Sequence, residues 1–293
     1  MILDCKKVAE AKKQWTTNAC ALVKEKGITP TVAIIQIGDD SMSSRYIHGQ
    51  VKDCQEIGVT AKVICLPECV SKTMIIHRIL ALNEDTSVHG ITVQLPLPKA
   101  LNHPFCRQEI LDTIAREKDV DGLRSDILSR IAQGMDSFVP CTTDAILEIL
   151  GAHNISYVGK RVVVVGRSVG VGLPAALALQ GLDASVSIIH SKTPNDIAKT
   201  LLKMADIVVL ATGKGHGWDE GFFKDGAAII DIGTSLDAKG KLIGDFDDSA
   251  IKERGGEGFV KYTPVPGGVG LVTRAFFVAH VVSAAWRQGE IKG

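Results

Sequence analysis

The stretch Val162-Val163-Val164-Val165-Gly166-Arg167-Ser168-Val169-Gly170-Val171-Gly172 decides the fold. An apolar run with the look of a buried strand feeds straight into a glycine-rich turn that opens a helix. Two chemistries use such a turn. In a nucleotide site the glycines let the backbone approach a pyrophosphate while the first free amides of the helix point at its oxygens. The segment Gly166-Arg167-Ser168-Val169-Gly170 also fits the nucleophile elbow of a hydrolase, with Ser168 at its tip.

The next strand, 185–189, ends in His190-Ser191-Lys192-Thr193, roughly twenty residues on, where a dinucleotide site places the adenine ribose. A carboxylate there would hold the ribose 2′-hydroxyl of NAD and repel a 2′-phosphate. None is present, whereas Ser191, Lys192 and Arg167 attract a phosphate. These residues point to NADP rather than NAD. Further apolar strands over 207–211 and 227–232 complete a sheet covered on both faces.

Working outward, strand-like and helix-like segments alternate, which argues for α/β architecture: two α/β domains flanking a cleft, the second a Rossmann-like doubly wound parallel sheet. Helical spacing over 6–26 stops at Gly27, and Trp15 falls on its apolar stripe as a core residue. A strand over 31–37, a helix over 41–57 ending at Gly58, a strand over 61–66, a helix near 72–83 and a strand over 90–95 follow. Pro140-Cys141-Thr142-Thr143 offers a threonine-capped helix that stops at Gly151, and the joint between domains is placed there. The domains are accordingly 1–140 with 271–293, and 141–270, with the last apolar helix, 271–287, returning to the first.

The chain has 293 residues, 45% of them hydrophobic, enough for two domains with proper cores. Its 33 basic and 33 acidic residues leave no field to draw in nucleic acid. No signal-like N-terminus or membrane-length apolar run is read, so the expected location is cytoplasmic, without a membrane partner. Seven scattered cysteines without a Cys-x-x-Cys pair indicate neither a disulfide framework nor a metal site.

Four further segments carry a resemblance: Ser43-x-x-Tyr46, Val93-Gln94-Leu95-Pro96-Leu97-Pro98, Lys118-Asp119-Val120-Asp121-Gly122 and Thr263-Pro264-Val265-Pro266-Gly267-Gly268-Val269-Gly270. With Gly166-x-Ser168-x-x-x-Gly172 between the third and fourth, the chain resembles the methylenetetrahydrofolate dehydrogenase/cyclohydrolase family from about residue 5 to about residue 285. The resemblance implies hydride transfer from methylenetetrahydrofolate to a nicotinamide cofactor, hydrolysis of the methenyl product in bifunctional members, and a homodimer. It implies that Tyr46 stacks on the folate, that Gln94 hydrogen-bonds near the reacting centre and that Asp121 anchors the pterin. It implies too that Val93, Leu95, Pro266, Gly267 and Gly268 complete the folate contacts. It further implies that Gly166, Arg167, Ser168, Gly172, Ser191, Thr193 and Thr234 hold NADP.

One departure concerns chemistry. Bifunctional members read Tyr-x-x-x-Lys, and the lysine handles protons during hydrolysis; this chain has Gln50. The i, i+4 spacing puts Gln50 on the face of Tyr46, yet a carboxamide has no usable pKa near neutrality. Lys52 lies about 200° round the helix and cannot replace it. Hydride transfer depends on positioning instead. The expected enzyme is a dehydrogenase with weak or absent cyclohydrolase activity. Leu271 and Thr143 replace family prolines at helix starts. The alternatives are a bifunctional enzyme with another proton carrier, a folate- and NADP-binding protein without turnover, and a hydrolase using Ser168, Asp231 and His280.

Overall fold

The computed structural model describes residues 1–256 and 258–290, so residues 291–293 of the expected first domain lie outside the described residues. Helix α1 (Cys5–Glu25) gives way to Gly27, whose φ of 77° is open to glycine without strain. Its buried stripe runs through Val8, Ala9, Thr16, Cys20 and Val23. Trp15 is therefore not core: it falls on the solvent edge of that stripe, 61% exposed, with the Lys12 ammonium 5.0 Å from its ring centre.

After α1 come β1 (Thr31–Ile37), α2 (Ser41–Ile57), β2 (Thr60–Leu66), α3 (Lys72–Glu84) and β3 (Gly90–Val93). The strands form a parallel sheet in the order β2-β1-β3, with Val32 in register with Ala61 and Gly90. Central β1 is buried at every position, while β2 at the edge is not. Ile35, Ile75, Ile79, Ile91 and Ile110 pack beneath the sheet in one apolar cluster. The Asp40 carboxylate accepts the Ser43 amide at 2.7 Å and starts α2; Gly58 ends it with φ 91°.

Then follow α4 (Pro104–Asp112), α5 (Ile127–Ala132) and α6 (Cys141–Ala152). The threonines expected to cap α6 lie inside its first turn, since the helix already begins at Cys141. Nor does α6 stop at Gly151. The His153 amide still reaches the Ile149 carbonyl, and Asn154, with φ 54°, makes the left-handed exit.

The second sheet is built by β4 (Arg161–Val165), α7 (Gly172–Gly181), β5 (Ser185–Ile189), α8 (Asn195–Met204), β6 (Ile207–Leu210) and β7 (Ala228–Asp231). A short antiparallel pair, β8 (Ser235–Leu236) and β9 (Leu242–Ile243), precedes α9 (Ser249–Glu253), β10 (Lys261–Tyr262) and α10 (Val269–Glu290). The parallel order is β10-β7-β6-β4-β5. The β8–β9 pair and β10 are two residues per strand, too short to leave a periodic signal.

The chain divides into two compact units. One comprises Glu10–Ile127, Ser137–Cys141 and Arg274–Gly293 and contains the three-stranded sheet. The other comprises Met1–Ala9, Leu128–Asp136 and Thr142–Thr273 and contains the five-stranded sheet. Helix α10 begins in the latter and ends in the former. Its length and composition would suit a membrane span, yet 67% of that window is buried in the protein, as in a core helix.

Two polar devices hold the loops. The buried Lys118 ammonium donates to the carbonyls of Leu82, Asn83 and Asp85 at 3.0, 2.7 and 2.9 Å, closing the C-terminal end of α3, where a cation suits the helix dipole. In the five-stranded unit, Asp231 Oδ1 accepts the amides of Gly233 and Asp245 at 2.9 and 3.1 Å, and its Oδ2 accepts that of Phe246 at 2.9 Å. Gly233 and Gly244 are glycines of necessity, because a Cβ would lie 2.1 Å from Asp245 Cγ or 2.0 Å from Asp231 Oδ2.

Replacing Lys118 by Met strands those carbonyls and is expected to cost about 2–4 kcal/mol in urea unfolding. Burial pushes the Asp231 carboxyl from 3.8 to about 7, against the three amides that favour its ionised form. A raised folded value means stability that is full below the unfolded value and lost as pH rises through about 7. Between about pH 5 and pH 8, Asp231→Asn should show a smaller fall in melting temperature than the parent. Asp119, raised to about 6 by burial, leaves a residual slope of the same sign.

Candidate active site

In the three-stranded unit Tyr46, Val93, Gln94, Leu95 and Asp121 of the predicted folate residues lie near the carboxyl ends of β1 and β3, where open α/β sheets place their ligands. Val93 ends β3 with its side chain buried in the core, so only its backbone is offered to a ligand. Gln94 and Leu95 follow: the Gln94 amide bonds the Ile35 carbonyl, and its side-chain Nε2 donates to Leu95 O at 2.7 Å, ahead of a cis Leu95–Pro96 bond.

Asp121 comes from a turn that Asp119 holds. The buried Asp119 carboxylate accepts the amides of Gly122 and Arg124 at 3.1 and 3.0 Å. Gly122 has φ 68°, and a Cβ there would lie 2.6 Å from the Val139 backbone. Lys118, Asp119 and Gly122 are thus structural, whereas the bonds of the Asp121 carboxylate come from side chains. Burial pushes the Asp121 carboxyl up, opposed by hydrogen bonds from Thr92 Oγ1, at 3.0 Å, and from the Cys141 thiol. Tyr46, on α2, is close enough to feel that charge; burial first, then Asp121, drives its phenol far above its ordinary range, so it stays neutral.

Gln50 is 2% exposed on the same helix, and its Oε1 has no hydrogen-bond partner among the described residues. A buried orphan acceptor is costly unless a ligand group meets it. Beside it, Arg274 Nε donates to Asp53 at 2.7 Å, and Lys13 pairs with the other oxygen of that carboxylate. The Arg274 guanidinium passes over Gly49, where a Cβ would come within 2.6 Å of it. The cations near position 50 are therefore bound to Asp53. Lys52 is 69% exposed and pairs with Glu56, as its place on the helix requires.

The five-stranded unit carries a groove of about 460 Å³ at the carboxyl ends of β4, β5 and β6, within the range of small-molecule sites. Gly166, Arg167, Ser191 and Thr193 line it, as does His190. At Gly166, φ is 122° and a Cβ would lie 2.4 Å from Ala211 O, so no other residue lets these backbones meet. Thr193 Oγ1 accepts the His190 amide at 3.0 Å and shapes the turn after β5.

Other predicted cofactor residues lie off the groove lining. Gly172 packs α7 onto the turn, its Cα hydrogens facing Gly166 O where a Cβ would be 2.4 Å away. Ser168 Oγ accepts the Gly172 amide at 3.4 Å, and Thr234 is exposed. Thr212, Lys214, Asn195 and Trp218 line the groove without having been singled out for it. Pro266 and Gly267 are exposed in the turn before α10, in the five-stranded unit, with a cis Val265–Pro266 bond. Gly268 is buried there, a Cβ being 2.0 Å from Pro264 O.

The hydrolase reading loses its parts. Both carboxylate oxygens of Asp231 serve backbone amides. His280, whose Nδ1 lies 2.9 Å from Val120 O and 3.5 Å from Cys141 Sγ, is engaged within the three-stranded unit. Among the described residues no cluster of three or more His, Cys, Asp or Glu suits a metal ion.

Residues 3–121 match the tetrahydrofolate dehydrogenase/cyclohydrolase catalytic domain, and residues 140–289 match the NAD(P)-binding domain of the same family. The chain is 37% identical over 291 residues to the bifunctional protein FolD of Bacillus cereus, covering 99% of this chain and 98% of that one. The crystal structure of bifunctional FolD from Campylobacter jejuni superposes with a TM-score of 0.91 at 32% identity, over 98% of this chain and 99% of that one. That of the Trypanosoma brucei dehydrogenase-cyclohydrolase, solved with NADP and an inhibitor, has a TM-score of 0.90 at 30% identity, over 100% of this chain and 99% of that one. With these matches spanning both units, the chain belongs to the tetrahydrofolate dehydrogenase/cyclohydrolase family.

Proposed function

We propose that this chain is an NADP-dependent methylenetetrahydrofolate dehydrogenase in which cyclohydrolase activity is weak or absent. Gln50 carries the reading: a buried, non-titrating carboxamide stands on the Tyr46 face where bifunctional members have a lysine. Asp121 holds the pterin through its amino and ring N–H groups, as an ionised carboxylate is suited to do. Tyr46, kept neutral by burial, offers a flat face to the folate. Gln94 and Gln50 supply hydrogen bonds that position the reacting centre.

The glycine turn, Arg167 and Ser191 suit a dinucleotide with a 2′-phosphate, since a backbone can come close at Gly166 and a guanidinium pairs well with phosphate. Bound there, NADP⁺ supplies the hydride acceptor. Oxidation turns a neutral methylene substrate into a methenyl cation. A neutral Gln50 imposes no repulsion on that charge, and Arg274 and Lys13 are offset by Asp53. Hydration of the cation is different: water must give up a proton and the ring nitrogen must receive one, and Gln50 can do neither. The reading includes a cytoplasmic homodimer acting on tetrahydrofolate derivatives, with no nucleic-acid or membrane partner.

Purified protein given methylenetetrahydrofolate and NADP⁺ should produce NADPH with methenyltetrahydrofolate accumulating, and 10-formyltetrahydrofolate forming no faster than by spontaneous hydrolysis. Enzymatic hydrolysis at a rate comparable with dehydrogenation overturns the reading, and absence of NADPH indicates a binding protein without turnover. Gln50→Lys should raise hydrolysis by roughly 10²-fold or more, the scale of general acid–base assistance. Arg167→Ala should weaken NADP⁺ roughly tenfold or more through loss of a charge-assisted pair, and leave NAD⁺ nearly unchanged, in titrations monitored by fluorescence.

A further inference from the structure

Ala211, Thr212 and Lys214, in the loop after β6, line the groove at the carboxyl end of the five-stranded sheet. The amides of Thr212, Gly213 and Lys214 all end on one side chain. Asp245, 0% exposed, accepts the Thr212 amide at 2.6 Å, the Thr212 hydroxyl at 2.7 Å and the Gly213 amide at 3.2 Å on Oδ2, and the Lys214 amide at 2.8 Å on Oδ1. Gly213 takes a φ of 65° to bring successive amides round one carboxylate. Asp245 is itself held, because its own amide donates to Asp231 Oδ1 at 3.1 Å and Gly233 leaves room for its carboxylate.

A trans peptide carries its carbonyl opposite its N–H. Three amides turned onto Asp245 therefore turn the carbonyls of Ala211, Thr212 and Gly213 away from it. Ala211 O lies against Gly166, in the turn that begins the groove, which leaves the Thr212 and Gly213 carbonyls as those not covered by that turn. Thr212 and Lys214 line the groove beside Arg167 and Ser191, so backbone carbonyls turned away from Asp245 stand among side chains that donate.

We propose that Asp245 is a positioning residue for the cofactor, orienting the loop carbonyls to receive hydroxyl and amide N–H donors that NADP and NAD share. The proposal rests on the groove being the cofactor site. It assigns discrimination between the two cofactors to Arg167 and Ser191, and common affinity to the loop held by Asp245. Asparagine at 245 would place an NH₂ group against amides that now donate to a carboxylate, and the loop would turn.

The test is cofactor titration of Asp245→Asn, with circular dichroism and melting as a check on folding, beside Arg167→Ala. The expected result is a loss of NADP⁺ and NAD⁺ affinity by the same factor, roughly 10- to 100-fold, the scale for a charge-assisted bond left unmade. The KM for methylenetetrahydrofolate should stay within about twofold, a split that a general loss of structure would not produce. A folded Asp245→Asn protein that binds both cofactors as the parent does overturns the proposal. If that variant does not fold, Thr212→Val decides. It removes only the hydroxyl bond and should cost both cofactors equally, roughly 3- to 10-fold; an unchanged affinity again overturns the proposal. Should Arg167→Ala retain full NADP⁺ affinity, the groove reading fails first and the proposal falls with it.

Discussion

Buried aspartates that accept backbone amides hold the loops from which the site residues project. A loop that leaves the carboxyl end of a parallel strand and turns sharply cannot pair its amides with a neighbouring strand, and a buried unpaired amide is costly. Here Asp119 takes the amides of Gly122 and Arg124, Asp231 those of Gly233, Asp245 and Phe246, and Asp245 those of Thr212, Gly213 and Lys214. Each carboxylate loses hydration on burial and regains hydrogen bonds from fixed amides. The glycines at 122, 233 and 244 leave the room this needs.

That arrangement separates two kinds of aspartate in one short motif. In Lys118-Asp119-Val120-Asp121-Gly122, the first aspartate serves the turn and the second stands free of backbone duty, beside Thr92 and Tyr46. Lys118 closes the end of α3 and brings its charge nowhere near chemistry. A motif that reads as a cluster of charges is, in space, a clamp, a turn and a carboxylate bonded to side chains.

On the function proposed above, Gln50 separates two reactions with different needs. Dehydrogenation needs alignment and tolerance of a growing positive charge; hydration needs a group that exchanges protons near neutrality. The surroundings suit the former. Tyr46 is locked neutral, the Arg274 and Lys13 cations are bound to Asp53, and Gln50 adds no charge. Its Oε1 has no hydrogen-bond partner among the described residues.

Much of this was legible along the chain because it is local. Strand β4, the glycine turn, Gly27 and Gly58 as helix stops, and the shared face of Tyr46 and Gln50 follow from periodicity and from the backbone freedom of glycine. Trp15 misled because a one-residue offset in the buried stripe of α1 is invisible without the partner that covers it. Gly151 misled because the helical ladder ran past it to an asparagine. Nothing local marks Asp245 either, since the amides it holds lie more than thirty residues earlier, at 212–214. The sequence by itself determined the alternating α/β order, the glycine turn and the family motifs, because these depend on neighbours a few residues apart. Only the tertiary structure decided which aspartates brace loops, because that depends on which amides the folded chain leaves without a neighbouring strand.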